Sequence, residues 1–521
     1  MQKKPIITAE EAADLVQSGS TIVTSGFVAS QMPEALNRAL ENRFLKTGEP
    51  NNLTLFYSAA QGNRDGSGAD HFAHTGMLKR VIGGHFNMAP ELGKLIIDNK
   101  LEAYNLPQGT ISQLFRDIAA HKIGTITHVG INTFADPRIE GGKLNGITKE
   151  NIVEVVHILG EEKLLYKAQK VDIAFIRGSF ADEFGNVSLE QECCTNEATS
   201  IAQAAKNNGG KVVVQVQRVV AAGSLDPRIV KIPGIYVDAL VICTNKTDHA
   251  QCQGCEYDGA MTGDFRAPLG ALEYPKMSMK KIIGRRAAME LRPNTVVNLG
   301  IGTPEYISLV ANEEGIGDYM TMTVEAGPVG GVPQGGPRFG GSVNVEAILD
   351  QAYQFDFYDG GGVDLAFLGL AQADCEGNIN VSKFGDRIAG CGGFVNITQN
   401  AKKVFFCGTF TADGLKSHVE NGRLVIDQEG KKSKFIQQVE QITFSGKYAV
   451  KTKQPVKYIT ERAVFELRED GLYLTEVAPG IDIQKDIVSH MGFEPKMDER
   501  RPKLMDARIF REERMGIKEM V

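Results

Sequence analysis

The chain has 521 residues, of which 42% are hydrophobic and 23% are charged, and its formal net charge is -7. This length exceeds what one hydrophobic core organises and predicts two large domains or about three smaller ones. The balance is acidic and no long Lys/Arg run occurs, so neither nucleic acid nor an anionic membrane is an expected partner. Any anionic ligand must be held by local donors.

No apolar stretch approaches the roughly 18 residues of a membrane span, and the N-terminus has no signal-peptide core. We therefore expect a cytoplasmic protein. The eight cysteines lie mostly in apolar contexts and do not form a disulfide-type framework. Cys252 and Cys255 have a metal-like spacing, but His249 is their only nearby candidate partner, and a structural zinc site needs about four ligands. No metal is expected.

The first part of the chain predicts alternating helices and strands. Thr8 and Glu11 have the spacing of a capping box, so a helix starts there. A strand at 21–24 leads through Gly26 into a helix with Pro33 at its first position. A further strand is predicted at 53–57, and helices at 90–99 and 111–121 with a connection between them at 105–110.

An internal repeat is the clearest sign of domain organisation. Residues 171–176 read Val-Asp-Ile-Ala-Phe-Ile, and residues 363–368, a constant 192 positions later, read Val-Asp-Leu-Ala-Phe-Leu. The same offset relates Asp182 to Asp374 and the apolar strand from 211 to the one from 403. We predict duplicated α/β domains at 1–250 and 282–521, joined by a linker at 251–281, with a ligand cleft between them.

Two glycine-containing turns in the second half are candidate ligand contacts. A strand at 295–299 runs into Gly300 and Gly302, where Thr303 is predicted to cap the next helix and Pro304 to begin it. Such a turn favours an anion. A dinucleotide fingerprint is a weak alternative, since Glu305 stands at its third glycine. Residues 390–394 can aim backbone N–H groups at an oxyanion or simply form a tight connection.

Three histidines and the C-terminal residues are interpreted as structural. His71 and His74 are three residues apart and His85 follows, but no carboxylate completes a convincing metal set with them, so we expect satisfied structural histidines rather than a metal site. The mixed charge run at 498–519 is predicted to be a mostly solvated surface segment.

Glu325 is the strongest candidate for chemistry. It ends a short β-branched strand and precedes a glycine-rich loop at 326–336, where open α/β sheets expose functional groups. No Gly-x-Ser-x-Gly nucleophile elbow occurs. A carboxylate can itself act as the nucleophile, which suits acyl exchange between carboxylates, although an ordinary loop glutamate fits this stretch as well.

Longer sequence segments favour a nucleophilic role for Glu325 over an ordinary loop glutamate. Through these segments the sequence closely resembles the class I CoA-transferases, in particular those acting on propionate. The strings that carry the resemblance are 62–66, 354–362, 389–394 and 405–410, and the match spans nearly the whole chain. The resemblance implies two tandem, duplicated open α/β domains of the CoA-transferase type, with the active site in the cleft between them. It also implies an enzyme that moves CoA between short-chain acyl-CoA and short-chain acids by ping-pong kinetics.

The same resemblance implies residue roles. Glu325 takes the position of the nucleophile that forms a glutamyl-CoA thioester, and Gln108 that of a side chain reaching the active site from the first domain. Gly392 and Gly393 match the glycine loop of the thioester site. The CoA-contacting turn corresponds to Gly300, Ile301, Gly302, Thr303 and Pro304. Pro328 lies where the family varies and puts the acid preference in doubt.

Coenzyme A is thus expected as a substrate, with no permanently bound cofactor and with carboxylates as the other small-molecule partners. A homo-oligomer, dimer or tetramer, is expected from the resemblance alone. Two alternatives are a CoA-ester hydrolase of the same fold, which needs no acceptor acid, and a sensor that binds acyl-CoA without turnover. The absence of a basic DNA-reading segment disfavours a regulator.

Overall fold

A computed structural model describes residues 2–268, 274–498 and 502–520. The chain divides into two compact units. The first unit comprises Met1–Ala267, Val324–Asp356 and Gly385–Asn396, and the second comprises Pro268–Thr323, Phe357–Phe384 and Ile397–Val521. The first unit thus includes segments from the second half of the sequence. The predicted domain division at 251–281 stays a proposal.

The helices follow the sequence signals closely at their starts. Thr8 caps the first helix, and its side chain and that of Glu11 form the predicted capping box. The α-helices are Ala9–Asp14, Glu34–Thr47, Pro90–Ile97, Gln108–Ala119, Ala198–Asn207, Met279–Ala288, Glu305–Glu313, Gln351–Asp359, Phe394–Asn400 and Gly446–Thr452. The helix after Gly300 begins at Glu305 without a side-chain cap. The prediction that Thr303 caps it is wrong, because Pro304 takes the N-cap position.

A parallel sheet forms the centre of the first unit. In spatial order its strands are Ala239–Ile242, Lys211–Val216, Ile173–Arg177, Thr21–Thr24, Leu53–Tyr57, Leu78–Gly83 and Glu102–Asn105. Every neighbouring pair is parallel. The strand order reverses direction at Thr21–Thr24, and open sheets of this kind bind ligands beyond the carboxyl ends of their strands at such a switch point. We call this edge of the sheet the carboxyl edge.

Smaller sheets complete the first unit; their strand pairs are antiparallel except for Arg218–Val220, which pairs in parallel with Phe180–Asp182. One sheet contains Gly124–Thr127, Glu161–Lys167 and Val153–Ile158, and another contains Arg218–Val220, Phe180–Asp182, Val187–Ser188 and Val230–Ile232. Two short pairs are Pro328–Val329 with Ala347–Ile348 and Val332–Pro333 with Ser342–Val343. The strand Arg387–Ile388 precedes the glycine segment at 390–393.

The second unit is built on a mixed sheet. Its strands, in spatial order, are Met320–Thr323, Thr295–Leu299, Leu365–Gly369, Lys403–Cys407, Val456–Ile459, Ala463–Arg468, Gly471–Val477 and Lys503–Leu504. The first five strands are parallel to one another. Ala463–Arg468 runs antiparallel to Val456–Ile459, and Gly471–Val477 runs antiparallel to Ala463–Arg468. The remaining strands of the unit are Gln372–Ala373, Ile379–Asn380, Lys383–Phe384, Thr411–Ala412, Lys416–Glu420, Arg423–Gln428 and Lys432–Ser433.

The sequence repeat is a structural repeat. Ile173 pairs with Lys211 in one unit, and the residues 192 positions later, Leu365 and Lys403, pair in the same parallel register in the other. The turn that follows is also duplicated. Asn186 Nδ2 donates to Asp182 at 2.9 Å, and Asn378 Nδ2 donates to Asp374 at 3.1 Å. The prediction of duplicated α/β folding is confirmed.

The C-terminal segment contradicts the prediction of a solvated surface run. Ile509 and Phe510 are buried in the core of the second unit, and Arg285, itself fully buried, donates to the carbonyl of Glu513 at 3.0 Å. Glu314 accepts backbone N–H groups from three consecutive residues from Met515 onward, at 2.7–3.1 Å. The spaced apolar residues of this segment pack into the core. The side chains of Arg285 and Glu314 fix its backbone by hydrogen bonds. Residues 499–501 lie outside the described part.

Each unit has its own hydrophobic core. Leu36, Leu55 and Val81 belong to that of the first unit, while Val310 and Phe405 belong to that of the second. Among the described residues, no helix has both the length and the apolar character needed to cross a membrane.

A buried ion pair lies at the carboxyl end of a central strand of the first unit. Arg177 binds Glu192 through two hydrogen bonds of 3.0 Å, and both side chains are almost inaccessible. Burial raises the pKa of the Glu192 carboxyl, and the charge of Arg177 opposes that shift. The carboxylate therefore depends on this arginine for its ionised state.

Replacing Arg177 with Met is expected to destabilise the first unit by about 3–5 kcal/mol, because it leaves the Glu192 carboxyl buried without its partner. Denaturant-induced unfolding followed by circular dichroism measures the loss. The double variant R177M/E192L, which removes both charges, should recover much of it. A single variant that loses less than about 1 kcal/mol would show that the pair contributes little.

Candidate active site

Three neighbouring strand ends meet at the carboxyl edge. Ser58 follows the strand Leu53–Tyr57, Gly84 follows Leu78–Gly83, and Gln108 lies shortly after Glu102–Asn105. A Cβ on Gly84 would stand 2.0 Å from the Ser58 carbonyl oxygen and 3.3 Å from Gln108 Cα. Only glycine fits this close approach. The backbone therefore brings Ser58 and Gln108 to the same place.

Gln108 is the first residue of a helix rather than part of a connecting loop. The helix was predicted to start at 111, but Pro107 takes the N-cap position and Gln108 follows it. The Gln108 N–H donates to the Gly392 carbonyl at 3.0 Å. Its side chain is buried, and its Nε2 has no partner in the described part of the chain. A fixed backbone thus presents a free amide donor.

The glycine segment 390–393 is anchored to the same strand ends. Asn105 Nδ2 donates to the Gly84 carbonyl at 2.6 Å, while its Oδ1 accepts the Cys391 N–H at 2.9 Å. The Gly392 N–H donates to the Gly84 carbonyl at 2.8 Å. It is therefore not free to stabilise an oxyanion. Among the described residues, no acceptor is found for the Gly393 N–H, so Gly393 is the available donor of this segment.

His85 is a site-lining residue that the sequence analysis took for a structural one. Its ring lies 3.7 Å from the position that a Cβ on Gly392 would take, and Gln108 Oε1 lies 3.6 Å from it. Burial lowers the pKa of His85 to about 4, and the charges of Arg64 and Arg387 add to the decrease. His85 is therefore neutral at neutral pH. Its Nδ1 has no partner within the described chain.

Glu325 lies in a tight turn after the strand Met320–Thr323. The Val324 N–H donates to the Pro328 carbonyl at 2.9 Å, and the Gly327 N–H returns to the Val324 carbonyl at 3.0 Å. Gly327 has φ +125°, and a Cβ there would stand 2.0 Å from the Leu349 carbonyl oxygen. Glycine is required in this turn. The turn holds the backbone on both sides of Glu325 in place.

The environment of the Glu325 side chain suits an attacking carboxylate. It is partly exposed, yet the dense protein around it desolvates the carboxyl and raises its pKa. In the described part of the chain, no other residue donates a hydrogen bond to this carboxylate. A desolvated carboxylate without protein donors has its electron pairs available for attack. Its neighbours Val324 and Ala326 pack in a buried apolar cluster with Phe27 and Ala59.

A group of buried polar residues lies in the same unit and was missed by the sequence analysis. Asn196 Nδ2 donates to Gln31 Oε1 at 2.6 Å, the Gln351 N–H donates to the Asn196 carbonyl at 2.8 Å, and Ser58 Oγ donates to Gln351 Oε1 at 3.0 Å. We call Gln31, Ser58, Asn196, Glu197 and Gln351 the polar cluster. Gln31 has φ +55° and Asn196 has φ +47°, a conformation that functional sites often impose on residues other than glycine.

The predicted CoA-contacting turn belongs to the second unit. The Gly300 N–H donates to the Phe367 carbonyl at 2.8 Å, and a Cβ on Gly300 would meet Leu368 at 2.9 Å. Gly302 has φ +89° and open space around it, and Ile301 is exposed. The turn therefore presents an open backbone and one apolar side chain.

The remaining candidates are structural in their contacts. His71 binds Glu34 at 2.5 Å and Glu41 at 2.6 Å, and His74 binds Glu41 at 2.7 Å, so both side chains are satisfied by hydrogen bonds, in agreement with the interpretation of structural histidines. Although burial lowers the pKa of His71, the hydrogen bonds to the carboxylates outweigh it and raise the pKa. All eight cysteines are free thiols, and the described residues contain no group arranged to hold a metal ion.

Comparison with known proteins identifies the family. A family model described as Coenzyme A transferase matches residues 6–242. Caffeate CoA-transferase from Acetobacterium woodii is 44% identical over 516 residues, which cover 98% of each chain. Acetate CoA-transferase YdiF from Escherichia coli K12 is 42% identical, over 98% of this chain and 96% of its own.

The chain belongs to the coenzyme A transferase family.

A solved structure agrees with this assignment. The crystal structure of acyl-CoA transferase YdiF from E. coli O157:H7, a thioester complex with CoA, matches with a TM-score of 0.92 and 41% identity. The match covers 99% of this chain and 97% of that one. The protein is therefore an enzyme with the two-domain α/β CoA-transferase fold, and it moves CoA between an acyl-CoA and a carboxylate. The predictions of family, fold class and enzyme type are confirmed.

Substitutions at two glycines of the CoA-transferase distinguish the effect of steric crowding from that of an unfavourable φ angle. Gly390 has φ +84°, and a Cβ there would stand 2.7 Å from His85 Cα; Gly392 has φ +52° with no atom nearer than 3.6 Å. Alanine at either position incurs the left-handed penalty of about 1–2 kcal/mol. G390A also displaces the His85 backbone and is expected to lower kcat/KM by about 100-fold or more. G392A should stay within about tenfold, because strain without displacement leaves the geometry intact.

Steady-state CoA transfer and thermal unfolding, measured on both variants, check this expectation. Equal losses of activity would show that crowding at Gly390 does not control the site.

Proposed function

We propose that this CoA-transferase exchanges CoA among short-chain acids, acetate and propionate included, through a glutamyl-CoA thioester on Glu325. The observation that carries the proposal is the Glu325 carboxyl, which is desolvated, held at a tight turn and free of protein donors within the described chain. The preference for short acids comes from the sequence resemblance. The thioester complex solved for the relative YdiF supports the covalent route.

The first half-reaction makes and breaks two bonds. A Glu325 carboxylate oxygen attacks the acyl-CoA carbonyl, a C–O bond forms, and the C–S bond breaks to release CoA thiolate and leave an acyl-glutamyl anhydride. The thiolate then attacks the glutamyl carbonyl of the anhydride. A C–S bond forms there, the bond between the glutamyl carbonyl carbon and the bridging oxygen breaks, and the first acid leaves as its carboxylate with that oxygen. The enzyme is left as the thioester.

The second half-reaction reverses these steps with the acceptor acid. The acceptor carboxylate attacks the glutamyl thioester and releases thiolate, which then attacks the acceptor carbonyl of the new anhydride and frees Glu325. No proton needs to move in either half, since both acids enter or leave as carboxylates. CoA is thus a substrate, and no step requires a resident cofactor.

Each attack places negative charge on a carbonyl oxygen, and we assign Gln108 and Gly393 as the donors that stabilise it. Within the described residues, the Gln108 Nε2 and the Gly393 N–H have no hydrogen-bond partner, and both are held by the strand ends around Gly84. One such donor typically supplies about 3–4 kcal/mol to the transition state. Gly392 shapes the segment and fixes Gln108 through its carbonyl.

The turn from Gly300 to Pro304 is proposed to contact CoA. Its open backbone around Gly302 and the exposed Ile301 suit a ligand with both polar and apolar parts. Binding energy from the CoA body, far from the reacting carbonyl, can be used to orient the thioester for attack.

The covalent intermediate is the decisive test. We expect intact mass spectrometry of the protein incubated with propionyl-CoA, without acceptor acid, to show a CoA-sized adduct. Borohydride reduction and peptide mapping should assign it to Glu325, and acetate should discharge it. If CoA-ester is consumed with no adduct, a hydrolase is the better description; if no CoA-ester is consumed, a sensor is.

Replacing Glu325 with Asp retracts the carboxylate by one methylene, and Glu325→Gln removes the nucleophile. We expect both variants to lose several orders of magnitude in kcat, with the CoA-sized adduct absent from E325Q, because misplacement of a reacting atom by about 1 Å already costs about 100-fold. Near-normal turnover by E325D would refute the assignment.

The pH dependence of the same half-reaction provides a further check. Burial raises the pKa of Glu325, and only the ionised carboxylate attacks. Adduct formation in the wild-type enzyme should therefore decline as the pH falls through a value above the ordinary 4.5 of glutamate. A rate that stays constant down to about pH 4.5 would show that the group titrates like an exposed glutamate.

A further inference from the structure

The polar cluster contains several unpartnered atoms in a small buried volume. Gln31, Asn196 and Gln351 are inaccessible to solvent, and Glu197 is 1% exposed. Within the described chain, hydrogen-bond partners are missing for Gln31 Nε2, Asn196 Oδ1, Gln351 Nε2 and both Glu197 carboxyl oxygens. Unpaired buried polar atoms are costly and are rarely kept for structure alone. Their concentration here indicates a binding role.

The orientation of two amides is fixed by their oxygen atoms. Gln351 Oε1 accepts hydrogen bonds from Ser58 Oγ at 3.0 Å and from Ser112 Oγ at 2.5 Å. Gln31 Oε1 accepts from Asn196 Nδ2 at 2.6 Å. Because each oxygen is already engaged, each NH₂ group is directed away from these contacts. The cluster thus holds two fixed neutral donors.

Glu197 is a third donor at neutral pH. Burial raises the pKa of its carboxyl to about 8, the charge of Asp350 adds to the increase, and the nearby Ser58 hydroxyl opposes it. Ser58 gives its hydrogen to Gln351 instead. Glu197 occupies the N-cap of the helix Ala198–Asn207 without capping it. The positive helix end favours the ionised form, but burial outweighs this effect.

The chain around Glu197 is attached to the turn that carries Glu325. Thr195 Oγ1 donates to the Leu349 carbonyl at 3.0 Å, and the Leu349 N–H donates to the Gly327 carbonyl at 3.0 Å. The two segments also share one buried apolar cluster, which contains Cys193, Cys194, Val324 and Ala326. A substrate group bound at Glu197 is therefore close to the nucleophile's turn.

We infer that Glu197 and the amide groups of Gln31 and Gln351 bind the carboxylate of the acid substrate. This inference rests on the proposed function, which requires acids to enter and leave as carboxylates. Neutral donors hold an anion in a buried site and still allow it to leave, whereas a buried cation would retain it. An ionised Glu197 would repel the incoming acid.

The pH dependence of acceptor binding tests the role of Glu197. The group is neutral below about pH 8 and ionised above it, so in the wild-type enzyme the KM for acetate should rise about tenfold from about pH 7 to about pH 9. Glu197→Gln keeps a neutral donor of the same shape. Its KM for acetate should match that of the wild type near pH 7 and remain flat up to about pH 9.

Two further variants separate binding from folding. Glu197→Leu removes the donor and should raise the KM for acetate by about 10- to 100-fold at neutral pH, while adduct formation from propionyl-CoA persists. Asp70→Asn is the matched control. Burial also raises the pKa of Asp70, to about 6, but this carboxyl binds the Leu92 N–H outside the polar cluster, so D70N should keep the wild-type acetate KM and its rise with pH.

An E197Q variant whose acetate KM rises with pH as in the wild type would overturn the inference, and so would a folded E197L variant with an unchanged acetate KM. Should E197L fail to fold, the E197Q profile remains decisive. The wild-type adduct separates the two proposals. Its absence refutes the thioester mechanism, whereas an adduct combined with a pH-dependent E197Q refutes only the role of Glu197.

Discussion

The close approach of the backbone at Gly84 is the constraint on which the active site depends. A Cβ on residue 84 would lie only 2.0 Å from the Ser58 carbonyl oxygen. Only glycine therefore allows the two adjacent parallel strands to end so near each other. That approach lets the Gly84 carbonyl accept both the Asn105 side chain and the Gly392 N–H. Gln108 and the glycine segment are thereby fixed relative to one sheet edge. The proposed oxyanion donors are held by backbone geometry rather than by their own side-chain contacts.

Much of the architecture was predictable from local sequence signals. The capping box at Thr8 and Glu11, the strands Thr21–Thr24 and Leu53–Tyr57, and the repeat at an offset of 192 all depend on neighbouring residues or on a fixed period. Such signals survive without tertiary information. Glu325, the proposed nucleophile, was likewise chosen from the sequence, because a lone carboxylate between a strand and a glycine-rich loop is visible there and the family resemblance then favoured it.

Other features were not predictable, because they depend on contacts between distant residues. Whether Gly392 or Gly393 keeps a free N–H is decided by Gly84, some 300 residues away. His85, Gln31 and Gln351 have no motif of their own, and they become candidate site residues only when the folded chain brings them together. Position along the chain was the available signal. Ser58 comes directly after one strand of the parallel sheet, and His85 comes two residues after the end of another, which was not predicted. The prediction for the C-terminal segment gave its many charges more weight than its apolar residues, of which Ile509 and Phe510 are buried.

If Glu325 and Glu197 act as proposed, two glutamates in one unit require different environments. Glu325 must be ionised to attack, so its side chain keeps some exposure, while partial desolvation strengthens it as a nucleophile and raises its pKa. Glu197 is fully enclosed, and burial keeps it neutral up to about pH 8. A reaction whose nucleophile and substrates are all carboxylates would otherwise concentrate negative charge in one place. Keeping one glutamate neutral converts a potential repulsion into a hydrogen-bond donor, so the same residue type serves opposite roles through burial alone.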